Sequence, residues 1–177
     1  MSTLLPEFAY DDFVASEVLG GGTFGIVSCG TYNGETVVVK KLNAIRSYTN
    51  AGKKVLKEAG IAYSLKNKHI NNFRGVCMNP LALMFDYECF TFLPWNFDEQ
   101  VHNLEMLIEF SDYHAVENIL LELMPHILQS ASSAIAYLHA NDVVHRDMKP
   151  SNILVSNLHY MKIEDPVERK EIRKKNQ

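Results

Sequence analysis

Between Phe13 and Leu42 apolar and polar positions follow the period of two expected of half-buried strands: Val14, Ser16 and Val18, then Ile26, Val27 and Cys29, then Thr36 to Val39. Asn33-Gly34 separates the last two runs, and both residues tolerate the positive φ of a type I′ turn, so an antiparallel hairpin is expected there. From Asn50 to Leu65 the spacing becomes helical, with Val55, Ala59 and Ala62 on one side and Gly60 costing about 1 kcal/mol relative to alanine. Strand character returns over Asn72 to Val76 and Leu81 to Phe85. The stretch from Glu88 to Asp112 is mixed, holds Pro94, Trp95 and Phe97, and admits a short helix over Leu104 to Phe110.

A clearer helix is predicted over Pro125 to His139, where Ile127, Leu128, Ala131, Ile135 and Leu138 form a stripe and Pro125 suits the first turn. Ile153 to Val155 and Tyr160 to Ile163 read as a small hairpin, and the tail beyond is charged with little to bury. The pattern is of α+β class: an antiparallel sheet with one inserted helix, followed by a mainly helical layer.

Composition narrows the chemistry. With 177 residues, 47% of them hydrophobic, the chain can bury one domain's core. A formal net charge of -4 offers no basic field for nucleic acid, so no such partner is expected. Three scattered cysteines without a CxxC pair argue against a disulfide framework or a zinc ribbon. The start carries no basic leader and no stretch approaches the roughly 18 apolar residues needed to span a bilayer, so a soluble, cytoplasmic protein with no membrane partner is expected.

Gly20-Gly21-Gly22-Thr23-Phe24-Gly25 contains GxGxxG, which is common and undecided alone. Strand-type residues on both sides indicate a glycine turn between two strands, not one opening a helix, and the Gly-Lys-Ser/Thr of a Walker loop is absent. Such a turn lets backbone amides approach phosphate oxygens, with Val27 against an adenine ring. Val37-Val38-Val39-Lys40 then ends a strand on a lysine.

Lys40 and Glu58 match in order, spacing and predicted element a strand lysine and helix glutamate, and here the chain resembles the protein kinase family. The resemblance is most specific at Val143-Val144-His145-Arg146-Asp147-Met148-Lys149-Pro150-Ser151-Asn152-Ile153-Leu154, an HRDxKPxN loop whose Lys-Pro resembles serine/threonine-specific members. It implies that ATP lies between a sheet lobe and a helical lobe. Lys40 would contact the α- and β-phosphates and pair with Glu58; Asp147 would orient the substrate hydroxyl and accept its proton; Lys149 would steady the γ-phosphate; Asn152 would hold magnesium. It also implies that Leu19, Gly20, Gly22, Gly25 and Val27 cover the nucleotide. Val38 stands where the family carries alanine, Phe85 guards the back of the adenine pocket, and the backbone from Asp86 through Tyr87 to Glu88 bonds adenine. His145 and Arg146 are assigned structural roles.

Residues 1–87 would form the sheet lobe, 88–163 part of the helical lobe, and 164–177 an exposed tail. No Asp-Phe-Gly occurs; the chain reads Lys162-Ile163-Glu164-Asp165-Pro166-Val167 instead. Either Asp165 chelates magnesium in a degenerate motif, or these residues are a charged insert, the preferred reading, and it has no metal role. The chain is expected to stop before the activation segment, leaving the Pro125 to His139 stripe exposed for a partner to bury. A protein kinase fragment acting on a protein substrate is the leading reading, and a catalytically inactive nucleotide-binding scaffold the alternative.

Overall fold

A computed structural model describes residues 4–22, 25–43, 49–157 and 162–163. The backbone divides into two compact units, one formed by residues 1–66 and 72–87 and the other by residues 67–71 and 88–177.

The first unit is a five-stranded antiparallel sheet in the order β1-β2-β3-β5-β4, from β1 (Val14–Gly22), β2 (Gly25–Tyr32), β3 (Glu35–Leu42), β4 (Phe73–Met78) and β5 (Leu81–Asp86). Asn33 and Gly34 make the β2–β3 turn with φ of 51° and 81°, the doubly positive conformation that their types permit. Helix α1 (Asn50–Ser64) starts at Thr49, whose hydroxyl accepts the Gly52 amide at 3.0 Å, and so runs where the helical spacing placed it.

Alternation sorts the sheet into two faces. One carries Leu42, Leu83, Phe85, Val76 and Phe73 and packs against Ala59, Ala62, Val55 and Leu56 of α1. The other carries Val37, Val39, Ala82, Met84 and Cys77 under Phe8 and Phe13. Burying apolar side chains on both faces, at about 1.5–3 kcal/mol each, gives this unit its core.

In the second unit, β6 (Phe90–Thr91) pairs with β7 (Gln100–Val101), α2 spans Leu104–His114, α3 spans Glu117–Ala140, and β8 (Ile153–Leu154) pairs with β9 (Lys162–Ile163). An aromatic cluster fills the space between the first hairpin and α2: Phe92, fully buried, stacks on Phe110 with centroids 3.8 Å apart, edged by Phe90 and Trp95. Helix α2 runs one turn beyond the expected Phe110 and begins at Asn103, whose side chain accepts the Met106 amide at 2.9 Å.

Two expectations about α3 are corrected. Pro125 is not in the first turn but inside a helix that begins eight residues earlier, at Glu117. It removes the amide that would bond the carbonyl of Leu121, a residue 74% exposed, on the side where water can satisfy that oxygen. The predicted stripe also does not stay exposed. Ile127, Ala131 and Leu138 are buried, joined by Ile119, Leu123, Ser130 and Ala134, whereas Leu128 is 57% exposed. By length and composition alone α3 is long and apolar enough to cross a membrane, and its one buried stripe beside exposed residues is the pattern of a helix packed on a core.

Candidate functional site

Strand register decides which candidate side chains share a surface. Gly20 pairs with Val27, Val27 with Lys40, and Lys40 with Leu83, one row across four strands; next to it Val38 pairs with Phe85. Because directly opposed residues project to the same face, Val27, Val38, Lys40 and Phe85 lie together on the face against which α1 packs. Asp86, one residue beyond Phe85, projects to the other face opposite Val37 and closes β5, with Tyr87 ending the unit. Glu58 sits beside buried Ala59 on α1 and meets Lys54 at 3.8 Å.

The glycines of the turn are not equivalent. At Gly25 a Cβ would stand 2.3 Å from the carbonyl oxygen of Lys41, so glycine is demanded by the close approach of β2 to β3. At Gly20 and Gly22 a Cβ would meet nothing within 4 Å among the described residues. Among the described residues, then, internal packing does not demand glycine at either position. Leu19, beside Gly20, is half-buried.

The second constellation is a loop strapped at both ends. On one side the Val143 amide donates to the Leu138 carbonyl of α3 at 2.9 Å, and Val143 is fully buried. On the other, the amide of fully buried Val155 donates to the His102 carbonyl at 3.1 Å, and Leu154 bridges Asn103. Between these straps His145 is buried and Arg146 takes a φ of 63°, a left-handed conformation that turns the chain sharply before Asp147. A 3-10 turn, Pro150–Asn152, folds the chain back on itself.

That fold brings three predicted residues together. Lys149 Nζ lies 3.2 Å from Asp147 Oδ2, and Asn152 Nδ2 donates to the same Oδ2 at 2.9 Å and to the Asp147 carbonyl at 2.8 Å. The hydrogen bond from Lys149, followed by that from Asn152, holds the Asp147 carboxyl below its ordinary value against a small opposing effect of desolvation. Asp147 is thus an exposed carboxylate at neutral pH, a fixed acceptor of low basicity. Because Asn152 spends its amide nitrogen on Asp147, its Oδ1 remains the atom suited to a hard cation such as magnesium. No group of three or more His, Cys, Asp or Glu side chains able to hold a metal occurs among the described residues. Asp165 lies outside the described residues.

Sequence reasoning missed one structural member. The Asn157 side chain accepts the Thr91 amide at 2.8 Å and donates to the Thr91 carbonyl at 3.1 Å, tying the segment after β8 to β6 across 66 residues. Nothing local to either residue signals such a pairing.

Comparison with known proteins matches residues 13–177 to the family described as protein tyrosine and serine/threonine kinase. Among curated proteins, the chain is 28% identical over 155 residues to mitogen-activated protein kinase 12 of Oryza sativa subsp. japonica, covering 84% of this chain and 24% of that protein. It is 26% identical over 162 residues to cyclin-dependent kinase D-1 of Arabidopsis thaliana, covering 90% and 37%. It is 30% identical over 148 residues to dual specificity protein kinase shkB of Dictyostelium discoideum, covering 83% and 21%. The chain spans well under half the length of these relatives.

Proposed function

The chain belongs to the protein kinase family, and from that premise we propose that it binds ATP with magnesium and transfers the γ-phosphoryl group to a serine or threonine hydroxyl of a protein substrate. The observation that carries this reading is the convergence of Asp147, Lys149 and Asn152 on one carboxylate oxygen within a loop fixed at both ends.

In the transfer, the substrate hydroxyl oxygen bonds to the γ-phosphorus while the bond to the β–γ bridging oxygen breaks, and the hydroxyl proton passes to Asp147. In a loose transition state little proton transfer is needed early, so a carboxylate of low basicity serves mainly to aim the hydroxyl. Lys149, 3.2 Å from that carboxylate, delivers its positive charge where the γ-phosphate oxygens gather. Asn152 Oδ1, with Asp165 under the degenerate-motif reading, would hold magnesium, which neutralises phosphate charge when bound. The shared face of Val27, Val38, Lys40 and Phe85 supports an adenine and phosphate site on the sheet. The packing of α1 on that face supports pairing of Lys40 with Glu58. The Lys149-Pro150 pair after Asp147, which resembles serine/threonine-specific members, supports a serine/threonine preference.

A second reading, nucleotide binding without turnover, is favoured by Pro166-Val167, which follow Asp165 where the family places phenylalanine and glycine. Calorimetric binding of magnesium-ATP measured beside ADP release separates the two. Binding with turnover that Lys40→Met abolishes supports the kinase; binding with no turnover supports the second reading; no binding sinks both.

A further inference from the structure

Strand β4 carries an irregularity at Arg74: Phe73 pairs with Phe85 and Gly75 with Met84, so Arg74 is the extra residue of a bulge, opposite the end of β5. A bulge bends its strand and re-aims the side chain it carries. The Arg74 guanidinium here meets the carboxylate of Glu35, the first residue of β3, and lies with Nε 3.7 Å from Asp86 Oδ1, the last residue of β5. In the sheet order β3 and β4 flank β5, so one side chain spans three strands at the point where β5 ends. Asp86 is also held through its backbone, which donates to the Asn72 carbonyl at 3.1 Å. Its side chain projects away from the face shared by Val38 and Phe85, so a ligand on that face could be met only through the main chain where β5 ends.

We propose that Arg74 is a positioning residue for recognition of the nucleotide base, clamping Glu35 and Asp86 so that the main chain at the end of β5 is pre-set for adenine. The inference rests on the nucleotide reading and deepens it by assigning base affinity to a residue that does not touch the base. Arginine suits the task because its planar fork reaches two carboxylates at once, whereas the single ammonium of lysine does not reproduce that geometry. Fixing the main chain beforehand removes an ordering cost from binding. The clamp acts on the base and not on the phosphates, which the glycine turn and Lys40 engage.

The test compares magnesium-ATP with magnesium tripolyphosphate, which lacks the base, by titration calorimetry on the full chain. Arg74→Gln, which keeps the stem and a donor, is expected to weaken ATP about fivefold, since two partly exposed ion pairs are lost, and to leave tripolyphosphate unchanged. Arg74→Lys should fall between. Unchanged ATP affinity in Arg74→Gln, or equal loss of both ligands, overturns the clamp. A wild-type protein that binds tripolyphosphate but gains nothing from the base also overturns it, while failure to bind either ligand defeats the nucleotide reading on which it rests.

Discussion

Alanine at Gly25 and alanine at Gly22 should have opposite consequences, although both glycines belong to one motif. A Cβ at Gly25 would lie 2.3 Å from the Lys41 carbonyl oxygen and 3.1 Å from its carbon. Both are backbone atoms of β3, so relief requires the two strands to part. Overpacking of this kind costs about 1–3 kcal/mol. With a urea slope of about 2 kcal/mol/M, the midpoint should fall by roughly 0.5–1.5 M. At Gly22 a Cβ meets nothing within 4 Å among the described residues, and no positive φ penalises it. Gly22→Ala should therefore leave stability unchanged or raise it by up to about 1 kcal/mol through the unfolded chain. Its cost should appear only in magnesium-ATP affinity, because the new methyl stands where phosphate would approach. Urea unfolding followed by circular dichroism, beside calorimetric titration, measures both. A Gly25→Ala protein unfolding at the wild-type midpoint would refute the steric argument. A Gly22→Ala protein that loses stability, or binds nucleotide as tightly as wild type, would refute the division of roles.

Two further outcomes follow from the second unit. Lys149→Met should raise the Asp147 pKa toward the ordinary aspartate value, read from its carboxyl carbon shift by NMR. The sign is fixed because the folded state favours the carboxylate: any stabilisation is present above the unfolded aspartate pKa and is lost as pH falls through the lower, folded one. An unmoved titration would deny the hydrogen bond its effect. Phe92→Ala, at a fully buried ring stacked on Phe110, should cost about 3–5 kcal/mol by denaturant unfolding, and a loss below about 1 kcal/mol would contradict the aromatic core.

Local chemistry in the sequence foretold the parts of the fold that local chemistry determines. Asn33-Gly34 carries its own turn, and the period-two runs carry their strands. Pro125 carries the signal of a first turn, which would cut α3 short, whereas exposure of Leu121 lets the proline sit within the helix. The buried stripe is rotated from the most apolar positions: Ser130 and Ala134, small and weakly apolar, are buried, while Leu128 is not. The hydrogen-bonded trio of Asp147, Lys149 and Asn152 was legible because it is compressed into six residues. Arg74 with Asp86 and Thr91 with Asn157 were not, because each depends on register or on contact between distant segments that neither residue announces.

The claim on which the functional account turns is that the Asp147 carboxylate aims the substrate hydroxyl and takes its proton during phosphoryl transfer. Its most direct test is transfer of γ-labelled phosphate from magnesium-ATP to a serine- or threonine-containing protein by the wild type and by Asp147→Asn. The account predicts magnesium-dependent labelling by the wild type and a loss of at least about a hundredfold in the variant, with ATP affinity kept. Equal labelling by both proteins would contradict it.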